Sequence, residues 1–165
     1  MSCRVVYNRT MNNNEIETLV REYITKTVHF SLASVKDGKP WVCEVHFAYD
    51  NDLNVYFRSL TSRRHSQEIA LNPHVAGTIV RQHALEEGCD GALYFEGTAD
   101  IMTDEATRVA VMPFFQKQLG AKETILDDAK SKDGHQFYKI TVKNWYLYGA
   151  FGQPKSAKYQ LDWNL

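Results

Sequence analysis

Apolar side chains recur at two different periods along this chain, and the two periods predict two kinds of element. Apolar residues three and four positions apart predict an amphipathic helix over residues 14–25. Alternation of apolar and polar residues predicts strands over residues 28–35, 41–49 and 54–59. Because Asp37 followed by Gly38 is a strong hairpin signal, we expect these strands to form an antiparallel meander.

The second half of the chain continues this mixture. Helices are predicted over residues 62–71, with Ser62 as the N-cap, and over residues 103–119, where Pro113 would kink or divide the helix. The remaining predictions are strands over residues 74–80, 91–102, 137–142 and 144–151, a last strand or tail at 159–163, a polar loop at 81–90, and a loop or weak helix at 121–134. Six or seven strands favour a mainly β fold, an antiparallel barrel with flanking helices.

Length and charge exclude several classes of protein. The 165 residues fit one domain, with residues 1–11 as an arm and residues 152–165 as a C-terminal extension. The net charge of −1 provides no global attraction for nucleic acid. The chain has no apolar run of about 18 residues, and residues 1–7 contain no apolar region of the length expected in a signal peptide. We therefore expect a cytoplasmic protein without a membrane or nucleic-acid partner.

The cysteines and histidines show no spacing that is typical of a metal site or a disulfide framework. Cys3, Cys43 and Cys89 are far apart and form no CxxC pair. None of the six histidines pairs at HxH or HxxxH spacing, and no GxSxG motif indicates a serine nucleophile. The sequence therefore predicts no metal site and identifies no catalytic acid or base.

A group of cationic and hydroxyl side chains marks the turn between the third strand and the second helix. Its members are Arg58, Ser59, Thr61, Ser62, Arg63 and Arg64. A helix start offers free backbone N–H groups and a positive dipole end, so arginines placed there need another reason, such as a bound phosphate. By composition alone, a phosphate site and an ordinary solvated helix start carry equal weight. The chain has neither GxxxxGK[ST] nor GxGxxG, which disfavours nucleoside triphosphates and dinucleotides.

The strand before that turn carries polar residues among apolar ones. Val42, Val45 and Phe47 are expected to be buried, and simple alternation towards solvent explains His46. Cys43 is weakly supported as a redox nucleophile, since lone buried cysteines are usually inert. Aromatic residues near the C-terminus, such as Trp145 and Tyr148, are expected in the core or in a dimer interface, and Lys155 and Lys158 in solvent.

Five short segments follow one another in a characteristic order. They are residues 38–40 (Gly-Lys-Pro), 49–50 (Tyr-Asp), 55–57 (Val-Tyr-Phe), 62–64 (Ser-Arg-Arg) and 72–75 (Asn-Pro-His-Val). This series resembles the pyridoxamine 5′-phosphate oxidase-like family of FMN-binding split barrels. The resemblance is strong over residues 28–80 and continues, through topology, to about residue 151.

The resemblance implies a homodimeric split β-barrel with FMN at the subunit interface. Ser62, Arg63 and Arg64 would hold the FMN phosphate, with Arg58 as a third cation, and the backbone of the second strand would bond the pyrimidine edge of the flavin. The family's Arg and Lys at the two ends of that strand are replaced here by Val42 and Phe47. The implied cofactor-binding residues are Val42, Cys43, Glu44, Val45, Phe57, Arg58, Ser59, Ser62, Arg63 and Arg64.

The resemblance also implies a function. It implies an FMN-dependent oxidoreductase that transfers a hydride between FMN N5 and an unidentified small molecule, with NAD(P)H as a possible electron donor. The family's substrate-gripping Arg-x-His motif has no counterpart in residues 148–155, so oxidation of pyridoxamine 5′-phosphate itself is not expected.

Two alternatives stay open at this point. The first is a haem-binding or haem-handling split barrel, a type that the superfamily also contains. It would need an axial ligand from His29, His65, His83 or His135. The second is a non-catalytic flavin store or sensor, in which the bound FMN turns nothing over.

Overall fold

Six antiparallel strands close into a barrel, and a seventh strand and four helices lie around it. The structure, a computed structural model, describes residues 11–81, 91–148 and 158–161, and all of these elements lie in those ranges. The strands are β1 His29–Lys36, β2 Lys39–Tyr49, β3 Val55–Ser59, β4 His74–Ile79, β5 Ala92–Ile101, β6 Gln136–Tyr148 and β7 Lys158–Leu161. The helices are α1 Asn13–Ile24, α2 Arg64–Leu71, α3 Glu105–Leu119 and α4 Thr124–Asp128.

Closure of the barrel depends on one long-range pairing. The strands follow the order β3-β2-β1-β4-β5-β6-β7 in one sheet, and β3 pairs in addition with β6. In that pairing Val55 lies opposite Ile140, and Ser59 lies opposite Gln136. The first six strands therefore form a closed ring, and β7 pairs with β6. This architecture confirms the predicted mainly β fold and its split barrel.

A split opens where β2 and β3 separate. β2 pairs with β1 over residues 39–46, but it pairs with β3 only over residues 47–49. The N–H of Phe47 donates to the Val28 carbonyl (3.1 Å). Because successive peptide groups of a strand point to opposite edges, those of residues 42, 44 and 46 point away from β1. Among the described residues no strand pairs with that edge, so its backbone groups are available to a ligand.

The hairpin between β1 and β2 has the predicted turn. Asp37 and Gly38 have positive φ values of 50° and 72°. Two consecutive residues with positive φ are the requirement of a type I′ turn, whose twist matches that of the flanking strands. The turn thereby sets the register in which Lys36 lies opposite Lys39 and Leu32 opposite Cys43.

β6 is one continuous strand, so the prediction of two strands over residues 137–142 and 144–151 was wrong. In its pairing with β5, Gly97 lies opposite Val142 and Glu96 lies opposite Asn144. The intervening residue is a β-bulge, which shifts the apolar alternation by one position and imitates a strand break in the sequence. A Cβ on Gly97 would lie 2.2 Å from the Thr141 carbonyl oxygen, so the bulge requires glycine there.

The helices also differ from the predictions in detail. Arg63, not Ser62, is the N-cap of α2, and it caps through its extended backbone without a side-chain hydrogen bond. Pro113 lies inside α3 without dividing it, since a proline removes only one backbone donor of a long helix. The weak-helix alternative at 121–134 is realised by α4, and the last-strand alternative is realised by β7.

Aromatic side chains fill the barrel and continue beneath α3. Phe30 contacts Phe47, Phe57 and Phe95 in edge-to-face pairs, with ring centroids 5.2–6.3 Å apart. A second apolar cluster outside the barrel joins Tyr56 of β3 to α3, α4 and β6. This cluster holds α3 beside β2, and α3 forms one wall of the cleft that is described in the next section.

Several predictions concern residues outside the described ranges. They are the arm up to residue 10, the loop at 82–90, the segment 149–157, residues 162–165, and with them Cys3, His83, Cys89 and Lys155. Among the described residues, no helix has the length and apolar character that a membrane crossing requires.

Candidate functional site

A cleft of about 680 Å³ lies at the split between β2 and β3. One wall is β2, the floor is formed by the end of β3 and the first turn of α2, and the opposite wall comes from α3 and the segment that leads into α4. The cleft brings together most of the residues predicted to contact the cofactor: Cys43, Glu44, Val45, Arg58, Ser59, Arg63 and Arg64. Its volume is within the usual range for a cofactor site.

The other three predicted residues lie beside the cleft rather than in its lining. Val42, which was expected to be buried, has an exposed fraction of 57% and lies on the open edge of β2. Ser62 is exposed in the turn before α2. Phe57 is fully buried and stacks on Tyr138 with ring centroids 4.8 Å apart. Its side chain therefore belongs to the barrel core, and its backbone lies within the sheet, opposite Phe47 of β2 and Tyr138 of β6.

Arg58 is held firmly at the rear of the cleft. Its Nη2 donates to Asp128 Oδ2 (2.5 Å) and to the His135 carbonyl (3.1 Å), and its guanidinium lies over the Phe137 ring. The His135 backbone N–H, and then Arg58, hold the pKa of the Asp128 carboxyl below its ordinary value. Nε of Arg58 is buried and has no hydrogen-bond partner among the described residues. This leaves one oriented cationic donor unsatisfied.

Arg64 is fixed through Glu68. Its Nε donates to Glu68 Oε1 (2.8 Å), and its guanidinium lies 4.4 Å from the centre of the Trp41 ring on β2. Glu68 is only 3% exposed, and its other oxygen accepts from Ser34 Oγ (2.5 Å). The Ser34 hydroxyl and the Arg64 guanidinium lower the pKa of the Glu68 carboxyl, so Glu68 is ionised at neutral pH.

Arg63 is an exposed cation at the helix start. Its backbone N–H donates to the Leu60 carbonyl and its carbonyl accepts from Gln67, while its side chain has no hydrogen bond or ion pair within the described ranges. The N–H groups of the first turn of α2 also lie here, at the positive end of the helix dipole. An anion bound at this position could accept hydrogen bonds from the exposed Arg63 guanidinium and from these backbone N–H groups together.

His65 bridges the two strands where they separate. Its Nε2 lies 2.7 Å from Ser59 Oγ on β3, and its Nδ1 lies 3.3 Å from Cys43 Sγ on β2. Burial lowers the pKa of His65, and burial together with the Glu44 and Glu68 carboxylates raises the pKa of the Cys43 thiol. Both groups are therefore neutral at neutral pH, so the pair differs from a thiolate–imidazolium nucleophile.

The sequence indicated His65 only as one of four possible axial ligands for haem, and not as a residue of the flavin site. Sequence reasoning also missed the far wall of the cleft, to which Phe115, Leu119 and Ile125 contribute. His65 follows Ser62, Arg63 and Arg64 directly, so its position one residue into a helix next to a phosphate-type turn was a usable signal. The far wall had no such signal, because it is brought to β2 by packing between distant segments.

The positions and partners of the histidines decide which imidazoles could bind a metal or a haem iron. His46 is exposed, as predicted, lines the cleft, and lies against His29 with ring centroids 4.1 Å apart. His135 is half-exposed at the cleft, and its Nδ1 lies 3.4 Å from Asp128 Oδ2. Both ring nitrogens of His65 already have partners. The described part of the chain contains no cluster of three or more metal-ligating side chains.

The donor set of the cleft suits a flavin mononucleotide. The unsatisfied Arg58 Nε, the Arg63 side chain and the helix start form one cationic end that matches a phosphate. The open edge of β2 supplies alternating N–H and C=O groups that match the polar edge of a planar ring. The apolar far wall would cover the ring face. The residues present therefore fit FMN.

The sequence and the fold were both compared with those of known proteins. The family model described as pyridoxamine 5′-phosphate oxidase matches residues 16–149. No curated protein matches the sequence.

Among solved structures, ChuZ from Campylobacter jejuni aligns with a TM-score of 0.71 at 15% identity, over 93% of this chain and 61% of that one. A heme binding protein from Mycobacterium smegmatis aligns with a TM-score of 0.68 at 16% identity, over 85% of this chain and 55% of that one. A FAD-binding protein from Mesorhizobium loti aligns with a TM-score of 0.58 at 17% identity, over 78% and 89%. The chain thus spans little more than half the length of the first two proteins. The TM-scores of these alignments show a shared fold.

Proposed function

This chain belongs to the pyridoxamine 5′-phosphate oxidase family, and we propose that it is an FMN-binding flavoprotein with oxidoreductase activity on a small molecule. The observation that carries the proposal is the cleft itself. A partly unsatisfied cluster of arginines at a helix start lies at one end of a strand edge that has no partner in the described structure. A phosphate bound by the arginines and a flavin pyrimidine ring bound along the strand edge would satisfy the free hydrogen-bonding groups of both.

Each part of the cleft has a defined task in this proposal. Arg63, Arg64 and the buried Nε of Arg58 would bind the phosphate, and the peptide groups of residues 42 and 44 would bond the ring edge. Phe115 of α3 would exclude water from one side of the ring. When bound, FMN supplies hydride transfer at N5, and the protein supplies orientation and access for the small molecule.

Dimerisation and the electron donor are part of the same proposal. The cleft is open on one side, and a second copy of the chain would cover it, as the resemblance to homodimeric split barrels suggests. NADH or NADPH would serve as the electron donor. The aromatic side chain of Tyr148, which is 40% exposed at the end of β6, is a candidate contact across the interface.

The test is a purified protein with and without added FMN. A protein that carries or takes up FMN, shows the two visible absorption bands of an oxidised flavin, and loses them on addition of NADH or NADPH would support the proposal. A colourless protein that takes up no FMN would contradict it. A bound flavin that neither nucleotide reduces would instead support a store or sensor.

Haem binding is the second candidate, and one observation favours it. His46 and His135 both line the cleft and are exposed, so an imidazole is available there. The heme binding protein from Mycobacterium smegmatis has the same fold. A Soret band after addition of haem, lost in a His135→Ala or His46→Ala variant, would support this function over the first.

A further inference from the structure

The three arginines of the cleft are restrained to very different extents. The Nη2 of Arg58 is already bonded to Asp128 and His135. The Arg63 side chain has no partner in the described structure. Arg64 is intermediate, because only its Nε is bonded, while neither of its Nη atoms has a hydrogen-bond or ion-pair partner within residues 11–81, 91–148 and 158–161. Arg64 is therefore oriented and still has two free donors.

The group that orients Arg64 is unusual for its environment. Glu68 is a carboxylate with an exposed fraction of 3%, between α2 and β1. A buried ion pair is weak evidence for stability, since apolar residues of similar volume often replace one at no cost. Both oxygens of Glu68 have defined partners, Ser34 and Arg64, and Ser34 is itself buried. Ser34 of β1 therefore holds the Glu68 carboxylate in place, and the carboxylate in turn holds the guanidinium of Arg64.

Trp41 completes the restraint from the opposite side. Its ring lies on β2 at the edge of the cleft, 4.4 Å from the guanidinium carbon of Arg64. A guanidinium that is stacked on a ring and bonded through Nε is restricted in its rotation, even though the Arg64 side chain is half-exposed. Such a group loses less freedom when its Nη atoms bind a ligand, and its fork geometry matches a phosphate oxygen pair.

We propose that Glu68 is a positioning residue that holds Arg64 so that both Nη donors face a phosphate monoester in the cleft. Glu68 does not touch the ligand. The inference rests on the proposed function, because FMN is the phosphate monoester that the cleft is proposed to bind. It adds to that function a buried residue outside the phosphate-binding turn on which the affinity for the phosphate depends.

The test compares FMN with riboflavin, which has the same ring and no phosphate. Both ligands are titrated into the wild-type protein, Glu68→Gln, Arg64→Ala and the double variant, with Glu17→Gln as a matched control. Glu17 also forms an i,i+4 ion pair, with Arg21 on α1, at a partly exposed position away from the cleft. We expect Glu68→Gln to weaken FMN binding about tenfold, to leave riboflavin binding unchanged, and to have no further effect in the Arg64→Ala background.

Three results of these titrations would overturn the inference. They are an unchanged FMN affinity in Glu68→Gln, an equal loss for riboflavin, or a full Glu68→Gln effect that persists without Arg64. A ligand-free measurement separates this inference from the proposed function. NMR of the Arg64 guanidinium should show restricted rotation in the wild-type protein and free rotation in Glu68→Gln. Restricted rotation in a protein that binds no FMN would refute the function alone, and free rotation in the wild type would refute the positioning role.

Discussion

Two buried titratable side chains next to the cleft, His65 and Glu68, connect its integrity to pH. Burial holds the pKa of His65 below its ordinary value of 6.5. Ser34 and Arg64 hold the pKa of Glu68 below 4.5. In both cases the unfolded chain binds a proton more readily than the folded one, so acid favours unfolding. Both groups thus lower the free energy of unfolding as the pH falls, but they do so in two different pH ranges.

The free energy of unfolding should fall in two steps as the pH is lowered. The contribution of His65 is complete above pH 6.5 and is lost as the pH falls from 6.5 towards its folded pKa. That of Glu68 is complete above pH 4.5 and is lost below it. Denaturant unfolding from about pH 8 to 2 should show the upper step reduced in His65→Asn and the lower step reduced in Glu68→Gln. Curves parallel to the wild type in both variants would contradict this account.

At the scale of elements, the split between β2 and β3 is the feature that creates the site. The two strands share only three paired positions, 47–49 with 57–55, before they separate. The first turn of α2 enters the gap, and its His65 bonds to Ser59 of β3 and Cys43 of β2. One side chain thus links the two strands at the point where they have no hydrogen bonds to each other.

Removal of this bridge should destabilise the protein and loosen the cleft. His65→Ala loses two hydrogen bonds and leaves a cavity, so we expect a loss of about 1–3 kcal/mol in the free energy of unfolding. His74→Ala, at an exposed position on β4, is the control and should change it by less than about 0.5 kcal/mol. Equal effects of the two substitutions in denaturant unfolding would show that the bridge has no structural role.

Element boundaries show what local pattern can and cannot predict. The helix at α1 and the hairpin of β1 and β2 were predicted closely, because capping residues, Asp37 and Gly38 act locally. The single strand β6 was divided in two, because the extra residue at its bulge reverses the alternation. The register with β5, in which Gly97 meets Val142, is a non-local fact that no window of the sequence contains.

At the scale of the whole molecule, the barrel closes through contacts between residues far apart in the chain. An antiparallel barrel of six or seven strands was predicted from the sequence, but the closing pair of β3 and β6 was not. The same limit applied to the site. The arginine turn was recognised locally, whereas the far wall at Phe115 and the buried state of Glu68 depend on how α3 and α2 dock on the barrel. Nothing in the local sequence distinguishes Glu68 from an exposed polar residue of a helix.

The measurement that tests the central claim most directly is the affinity of the protein for FMN and for riboflavin, before and after Arg63→Ala. The account predicts tighter binding of FMN than of riboflavin in the wild type. It also predicts that Arg63→Ala weakens FMN binding about 10- to 100-fold, since a charged hydrogen bond contributes about 1.5–3 kcal/mol, and leaves riboflavin unaffected. Arg21→Ala, on α1, should change neither affinity. Equal wild-type affinities for the two ligands, or an unchanged FMN affinity in Arg63→Ala, would contradict the claim that this cleft binds FMN through its phosphate.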